Sequence, residues 1–131
     1  MNEPTGQSSP GSARILVVDD DALVAMSMVS LLEDLGHSVV EATSGAQALA
    51  IIQGDAAIDL VITDQSMPGM SGTELARAVF LLRPSLPVML ATGYREVPEG
   101  SELRLPQLMK PYDDEAVGKA VTQVLSRTEP R

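Results

Sequence analysis

The sequence has no cysteine, so neither a disulfide framework nor thiolate chemistry is available to it, and redox reasoning alone does not fix its compartment. It also lacks any long apolar run: the hydrophobic stretches are short and broken by Pro, Gly or charge. The first thirteen residues lack the basic-then-apolar order of a signal peptide, and the expected location is intracellular, in the cytoplasm, with no membrane partner. Basic residues are scarce. Nine Lys and Arg against eighteen Asp and Glu leave a net charge of -9, the wrong sign for tracking a phosphate backbone, so direct nucleic-acid binding is not expected. The single histidine, His37, follows a helix-ending glycine and reads as a surface turn residue.

What remains is enough for one domain with its own core. Residues 1–12 are rich in Pro, Gly, Ser, Asn and Gln without hydrophobic periodicity, the composition of a flexible tail or linker. Residues 13–127 read as the folded domain and 128–131 as a C-terminal tail. Arg14 to Val18 is a continuous apolar strand pattern ending in Asp19, Asp20 and Asp21. Val24, Met28, Leu31, Leu32 and Leu35 then recur at helical spacing, and Gly36 supplies a left-handed stop. A strand over 38–42 follows. Ser44 with Gln47, and later Ser71 with Glu74, form capping-box patterns that open two further helices. The first ends at Gly54; the second turns Leu75, Val79 and Leu82 inward and stops at Arg83-Pro84. Strands are expected over 58–63, 87–91 and 105–109. Between the last two, Pro98 and Gly100 leave room only for a short or frayed helix. A closing helix begins at Asp113, Asp114 and Glu115 and gathers Val117, Ala120, Val121, Val124 and Leu125 on one face. Met26, Met28, Met89 and Met109 lie in these apolar elements and are expected to fill the core. Alternation of strand and helix argues for an α/β doubly wound parallel sheet.

The stretch Asp59-Leu60-Val61-Ile62-Thr63-Asp64 ends an apolar run on one carboxylate, and the Pro- and Gly-punctuated Met67-Pro68-Gly69-Met70-Ser71-Gly72 leads into a new helix. In open α/β sheets, ligands bind beyond the carboxyl ends of the strands. The polar residues expected on that rim are Asp19 and Asp20 after the first strand, Asp64 after the third, Thr92 after the fourth and Lys110 after the fifth. Three carboxylates crowded together need a cation or a proton, and all-oxygen ligation with retained waters favours Mg²⁺.

Four stretches taken together resemble the receiver domain of two-component response regulators: Ile-Leu-Val-Val-Asp-Asp at 15–20, residues 59–72, Ala-Thr-Gly at 91–93 and Met-Lys-Pro-Tyr at 109–112. The resemblance implies a flavodoxin-like five-stranded sheet in the order 2-1-3-4-5, here with a shortened or irregular fourth helix. It implies that Asp64 accepts a phosphoryl group from a phosphohistidine on a histidine kinase or histidine phosphotransfer protein. The domain would be no enzyme beyond catalysing its own phosphorylation and dephosphorylation. By the same pattern Asp20 binds Mg²⁺ directly, Asp19 assists through water or charge, and the Ser66 carbonyl is a further ligand. Lys110 meets the phosphoryl group, Thr92 offers its hydroxyl and acts as a switch, and Pro111 is the candidate cis-proline. Gln107 stands where receivers often carry Tyr or Phe, so the usual coupling of threonine to aromatic is expected to be altered.

Each of these residues has a plainer use. Asp20 or Asp21 can cap the first helix, Asp64 can be a turn residue, Thr92 an ordinary strand residue and Lys110 a solvated charge. Their joint occurrence at matched strand ends is what favours the functional reading. Two alternatives remain open at this stage: a haloacid-dehalogenase-like phosphatase using Asp19 and Asp21, and a protein-binding module that is never phosphorylated. Either a stand-alone regulator or the receiver segment of a hybrid histidine kinase fits the pattern, as a monomer or weak dimer.

Overall fold

A computed structural model of the chain describes residues 13–55, 57–92, 107–109 and 114–128. β1 (Arg14–Val18), β2 (Ser38–Ala42), β3 (Leu60–Asp64) and β4 (Val88–Thr92) form the body of a parallel sheet in the order 2-1-3-4. The three-residue β5 (Gln107–Met109) pairs parallel to β4 at the far edge. The helices are α1 (Ala22–Asp34), α2 (Gly45–Gly54), α3 (Gly72–Leu82) and α4 (Asp114–Thr128). Among the described residues no helix is long and apolar enough to cross a membrane.

The period of two along a strand divides the core into two layers. Ile15 and Val17 of β1, Leu60 and Ile62 of β3 and Met89 of β4 pack with Ala25, Met28 and Leu32 of α1 and Val117, Val121 and Val124 of α4. The alternate residues Leu16, Val18, Val61 and Val88 pack with Ala48 and Ile52 of α2 and Leu75, Ala76 and Val79 of α3. Because both faces are covered, β1 and β3 contain almost no exposed position, and this is why they read as unbroken apolar runs. Truncating one of the fully buried side chains, such as Ile62 or Leu75, removes about 2 to 5 kcal/mol of stability.

Local signals set the helix boundaries. Asp21 is the N-cap of α1, its Oδ1 accepting from the Leu23 and Val24 amides at 3.0 and 3.3 Å. Gly36 ends the turn after α1 at φ 98°, a conformation that a side chain would strain. Ser71 and Glu74 form a complete capping box on α3. The expected box at α2 is only half made. Ser44 Oγ accepts from the Gln47 amide at 3.1 Å, but Gln47 Oε1 reaches one residue further back, to the amide and hydroxyl of Thr43.

Several sequence expectations shift. β3 starts two residues and ends one residue later than expected and includes Asp64, and β4 runs one later and includes Thr92. Met26 is 54 % exposed rather than core, because Ala25 and Met28 take the inward positions of α1. Leu82, the last residue of α3, and Leu35, the cap that follows α1, are also exposed. His37 is half-buried and structural: its Nδ1 accepts from the Ala13 amide at 3.0 Å, tying the start of β1 to the α1–β2 turn. Burial holds its pKa below the ordinary imidazole value. The N-terminal tail at 1–12, the expected helix between the fourth and fifth strands, and residues 129–131 lie outside the described residues. The closing helix continues to Thr128, one residue past the expected end of the domain.

Candidate functional site

Strand register builds the site. Val18 pairs with Thr63, so the residues that follow them, Asp19 and Asp64, leave neighbouring strands at the same level of the sheet. Asp64 itself pairs with Ala91, which puts Thr92 one step further along β4. Thr92 in turn pairs with Met109, the residue before Lys110. The consequence at the carboxyl edge is that Asp19, Asp20 and Asp64 each offer a carboxylate oxygen, all lying within 4.8 Å of one another. Asp19 and Asp64 are buried, 6 % and 7 % exposed, while Asp20 faces solvent.

Three like charges this close repel by about 3 kcal/mol per pair at an effective dielectric near 20. A cluster of hard oxygen donors with one solvent-facing carboxylate has the chemistry of a divalent cation site, and for a metal that keeps several waters the donor set fits. The surrounding hydrogen bonds separate the roles of the acids. Asp19 Oδ1 accepts from the Asp21 amide at 2.9 Å, and the Asp19 amide donates to the Ala42 carbonyl at 3.1 Å, which fixes the turn leaving β1. Asp21 is occupied at the α1 N-terminus. The capping role that sequence reasoning allowed to either Asp20 or Asp21 therefore falls to Asp21, while Asp20 joins the acidic cluster.

The loop after Asp64 is held at both ends. Its first residue, Gln65, accepts through its carbonyl from the Gly72 amide at 2.9 Å. Through Oε1 it also accepts from the Thr73 amide and hydroxyl at 2.8 and 2.9 Å. Glycine at 72 is a steric necessity: a Cβ there would meet the Asp64 carbonyl oxygen at 2.5 Å and Leu90 Cδ2 at 2.9 Å. Gly69 makes the turn of the loop at φ 83°. Ser66 lies two residues beyond Asp64 at the exposed start of this loop. Thr63 Oγ1 donates to the Asp64 carbonyl at 3.0 Å from the α2–α3 side of the sheet.

Of the residues singled out in the sequence, Asp19, Asp20 and Asp64 are brought together, and Ser66 and the Thr92 and Gln107 backbones lie on the adjoining loop and strands. Lys110 and Pro111 lie outside the described residues, as do the side chains of Thr92 and Gln107. Sequence reasoning missed Gln65 and Thr73. Their only signal was the position of Gln65 directly after Asp64, and their contact depends on a loop closure that hydrophobic periodicity does not encode.

Comparison with known proteins agrees with this geometry. Residues 15–122 match the family described as the response regulator receiver domain. The chain is 35 % identical over 127 residues to the transcriptional regulatory protein FixJ of Azorhizobium caulinodans, covering 91 % of this chain and 58 % of FixJ. It is 31 % identical over 126 residues to the sensor kinase CckA of Brucella abortus, covering 91 % of this chain but 13 % of CckA. It thus spans only part of the length of these curated relatives. A crystal structure of a putative response regulator from Chloroflexus aurantiacus superposes with a TM-score of 0.81 at 30 % identity, over 88 % of this chain and 99 % of that one. The receiver domain of a hybrid histidine kinase CckA superposes at 0.73 with 33 % identity, over 86 % and 99 %.

Proposed function

We propose, for a chain that belongs to the response regulator receiver domain family, that Asp64 is the residue phosphorylated in two-component signalling and that Asp19 and Asp20 hold the Mg²⁺ the reaction requires. The observation that carries this reading is the convergence of the three carboxylates within 4.8 Å at the carboxyl edge of the sheet.

An oxygen of the Asp64 carboxylate attacks phosphorus in line. The O–P bond forms as the bond from phosphorus to the donor imidazole nitrogen breaks, and the imidazole leaves with its electron pair and takes up a proton from solvent. Bound Mg²⁺ would neutralise charge on the phosphoryl oxygens. Asp20, exposed and outside the α1 cap, and the Ser66 carbonyl would hold the metal, and Asp19, already accepting the Asp21 amide, would add negative charge beside it. Lys110 supplies a cation to the phosphoryl group, and the Thr92 hydroxyl engages it once Asp64 is modified, drawing in the segment that follows β4. Gln107 in place of an aromatic leaves that movement without its usual ring. The phosphodonor is a histidine kinase or histidine phosphotransfer protein.

The phosphatase alternative asks Asp21 to act with Asp19 as an acid pair. The Asp21 carboxylate is engaged by two α1 amides instead, which disfavours it.

Intact-mass measurement after incubation with Mg²⁺ and a small acyl phosphate tests the proposal. One phosphoryl increment, removable by hydroxylamine and absent from Asp64→Asn, is expected. Equal labelling of Asp64→Asn would overturn the assignment.

A further inference from the structure

The amide donors at the start of α3 are satisfied by two separate devices. The Ser71–Glu74 box serves the amides of Ser71 and Glu74, at 2.9 and 3.1 Å. The intervening amides, of Gly72 and Thr73, donate to the main-chain oxygen and the Oε1 of Gln65. Only a donor is available on the Thr73 amide, so the Gln65 atom facing it is the amide oxygen, whose two lone pairs accept that N–H and the Thr73 hydroxyl together. Thr73 is buried and sits on the first turn of a helix packed into the core, so this anchor is rigid. Gln65 stands between Asp64 and Ser66 in the chain; its carbonyl bond holds the peptide unit that joins it to Ser66, and its side chain anchors the residue that follows Asp64.

We infer that Gln65 is a positioning residue of the metal centre, acting through Thr73 and Gly72 to set the stance of the Asp64 carboxylate and the Ser66 carbonyl. The inference rests on the reading of Asp20, Asp64 and Ser66 as a Mg²⁺ site. A glutamine serves because its amide spans from the strand end to the second residue of α3 while adding no charge to an acidic cluster. The capping box, by contrast, ties the far end of the loop to α3 and leaves the Asp64 end untouched.

The test is a Mg²⁺ titration of the full chain followed by amide chemical shifts, with thermal stability measured in parallel. Gln65→Met keeps length and apolar bulk but removes the acceptor; it is expected to raise the Mg²⁺ dissociation constant about tenfold, the usual cost of losing a group that orients a metal ligand. Thr73→Val should weaken binding in the same direction, Thr73→Ser should restore it, and Gln65→Met with Thr73→Val should be no worse than Gln65→Met alone. Ser71→Ala breaks the other cap; it should lower stability yet leave Mg²⁺ affinity unchanged.

Unaltered Mg²⁺ binding in Gln65→Met would overturn the inference, as would an equal loss in Ser71→Ala, which would mean that any loosening of α3 suffices. If Gln65→Met does not fold, the contrast between Thr73→Val and Thr73→Ser decides the matter: weakened against normal binding supports positioning, and identical binding overturns it. Absence of Mg²⁺ binding in the unaltered chain would instead remove the metal-site reading, and this inference with it.

Discussion

The two ends of one parallel sheet treat charge in opposite ways. At the amino ends of the strands Asp55 and Asp59 meet a shared partner from the fold: Arg14 Nε and Nη2 lie 2.9 and 2.7 Å from Asp55 Oδ2, and the Arg14 amide donates to Asp59 Oδ2 at 2.9 Å. Arg83, at the end of α3, donates to the carbonyls of Asp55 and Ile58 at 3.2 and 3.0 Å. At the carboxyl ends, three acids gather within 4.8 Å of one another, Asp19 also accepting the Asp21 amide. The same strands, with the same two-sided core, thus carry a staple at one edge and an accumulation of like charge at the other. An edge where acids meet a cation serves stability, whereas one that gathers like charges favours a cation from outside, and the second is where function is expected.

Substitutions at the two edges should therefore have opposite signatures. The largest effect is expected from Asp20→Asn or Asp64→Asn. Each should weaken Mg²⁺ binding by about 10- to 100-fold or more while raising metal-free stability by about 1 kcal/mol, since one repelling charge is gone. Arg14→Met should do the reverse, lowering the denaturation midpoint without moving the Mg²⁺ titration. Equal metal affinities across both sets of variants would dissolve the contrast.

Gly72→Ala sharpens it by strain rather than charge. The added Cβ has to displace the Asp64 carbonyl or Leu90, so a loss of about 1 to 3 kcal/mol is expected in urea unfolding, accompanied by weaker Mg²⁺ binding because the displaced atom belongs to the site. A loss of stability with intact binding would show that the rim tolerates movement of its own backbone. At the opposite edge Arg83→Met removes two hydrogen bonds to main-chain carbonyls and should cost about 1 to 2 kcal/mol with no change in metal affinity.

The smallest effects are those of pH. The Arg14 hydrogen bond, then the Ala57 amide, hold the Asp55 carboxyl below its ordinary 3.8. The unfolded chain then binds more protons at this group, so its contribution is present above that value and is lost as pH falls through the folded pKa. Burial likewise holds His37 below 6.5. The neutral ring is the form that accepts the Ala13 amide, so its contribution is full above about pH 6.5 and declines as pH falls below it. Thermal unfolding between about pH 5 and 7 should accordingly be less pH-dependent in His37→Gln than in the unaltered chain. An unchanged slope would assign the dependence elsewhere.

Much of the fold was legible because it depends on local chemistry. Two apolar runs ending on carboxylates marked β1 and β3, the Ser71–Glu74 box opened α3, and Gly36 closed the turn after α1. That Asp19, Asp20 and Asp64 would end strands on one rim was legible in the same way, whereas the pairing of β1 with β3 that brings Asp19 level with Asp64 followed only from the family resemblance. What escaped was the choice among chemically equivalent partners. Either of two adjacent aspartates could cap α1, and only the conformation of the chain leaving β1 selects Asp21. Gln47 had the spacing of a capping box but prefers Thr43, and Gln65 finds Thr73 only after residues 66–71 have folded back. Leu82 followed helical periodicity and Met26 lay in an apolar element, yet both are largely exposed, which sequence pattern does not reveal.

The central claim is that the acidic rim is a metal-dependent phosphoacceptor site centred on Asp64. Amide chemical shifts recorded with Mg²⁺ and beryllofluoride, in the unaltered chain and in Asp64→Asn, test it most directly. Saturable shifts at Asp19, Asp20, Asp64 and Thr92 that require both Mg²⁺ and the Asp64 carboxylate are predicted. Shifts that persist in Asp64→Asn, or a failure of the unaltered chain to bind, would contradict it.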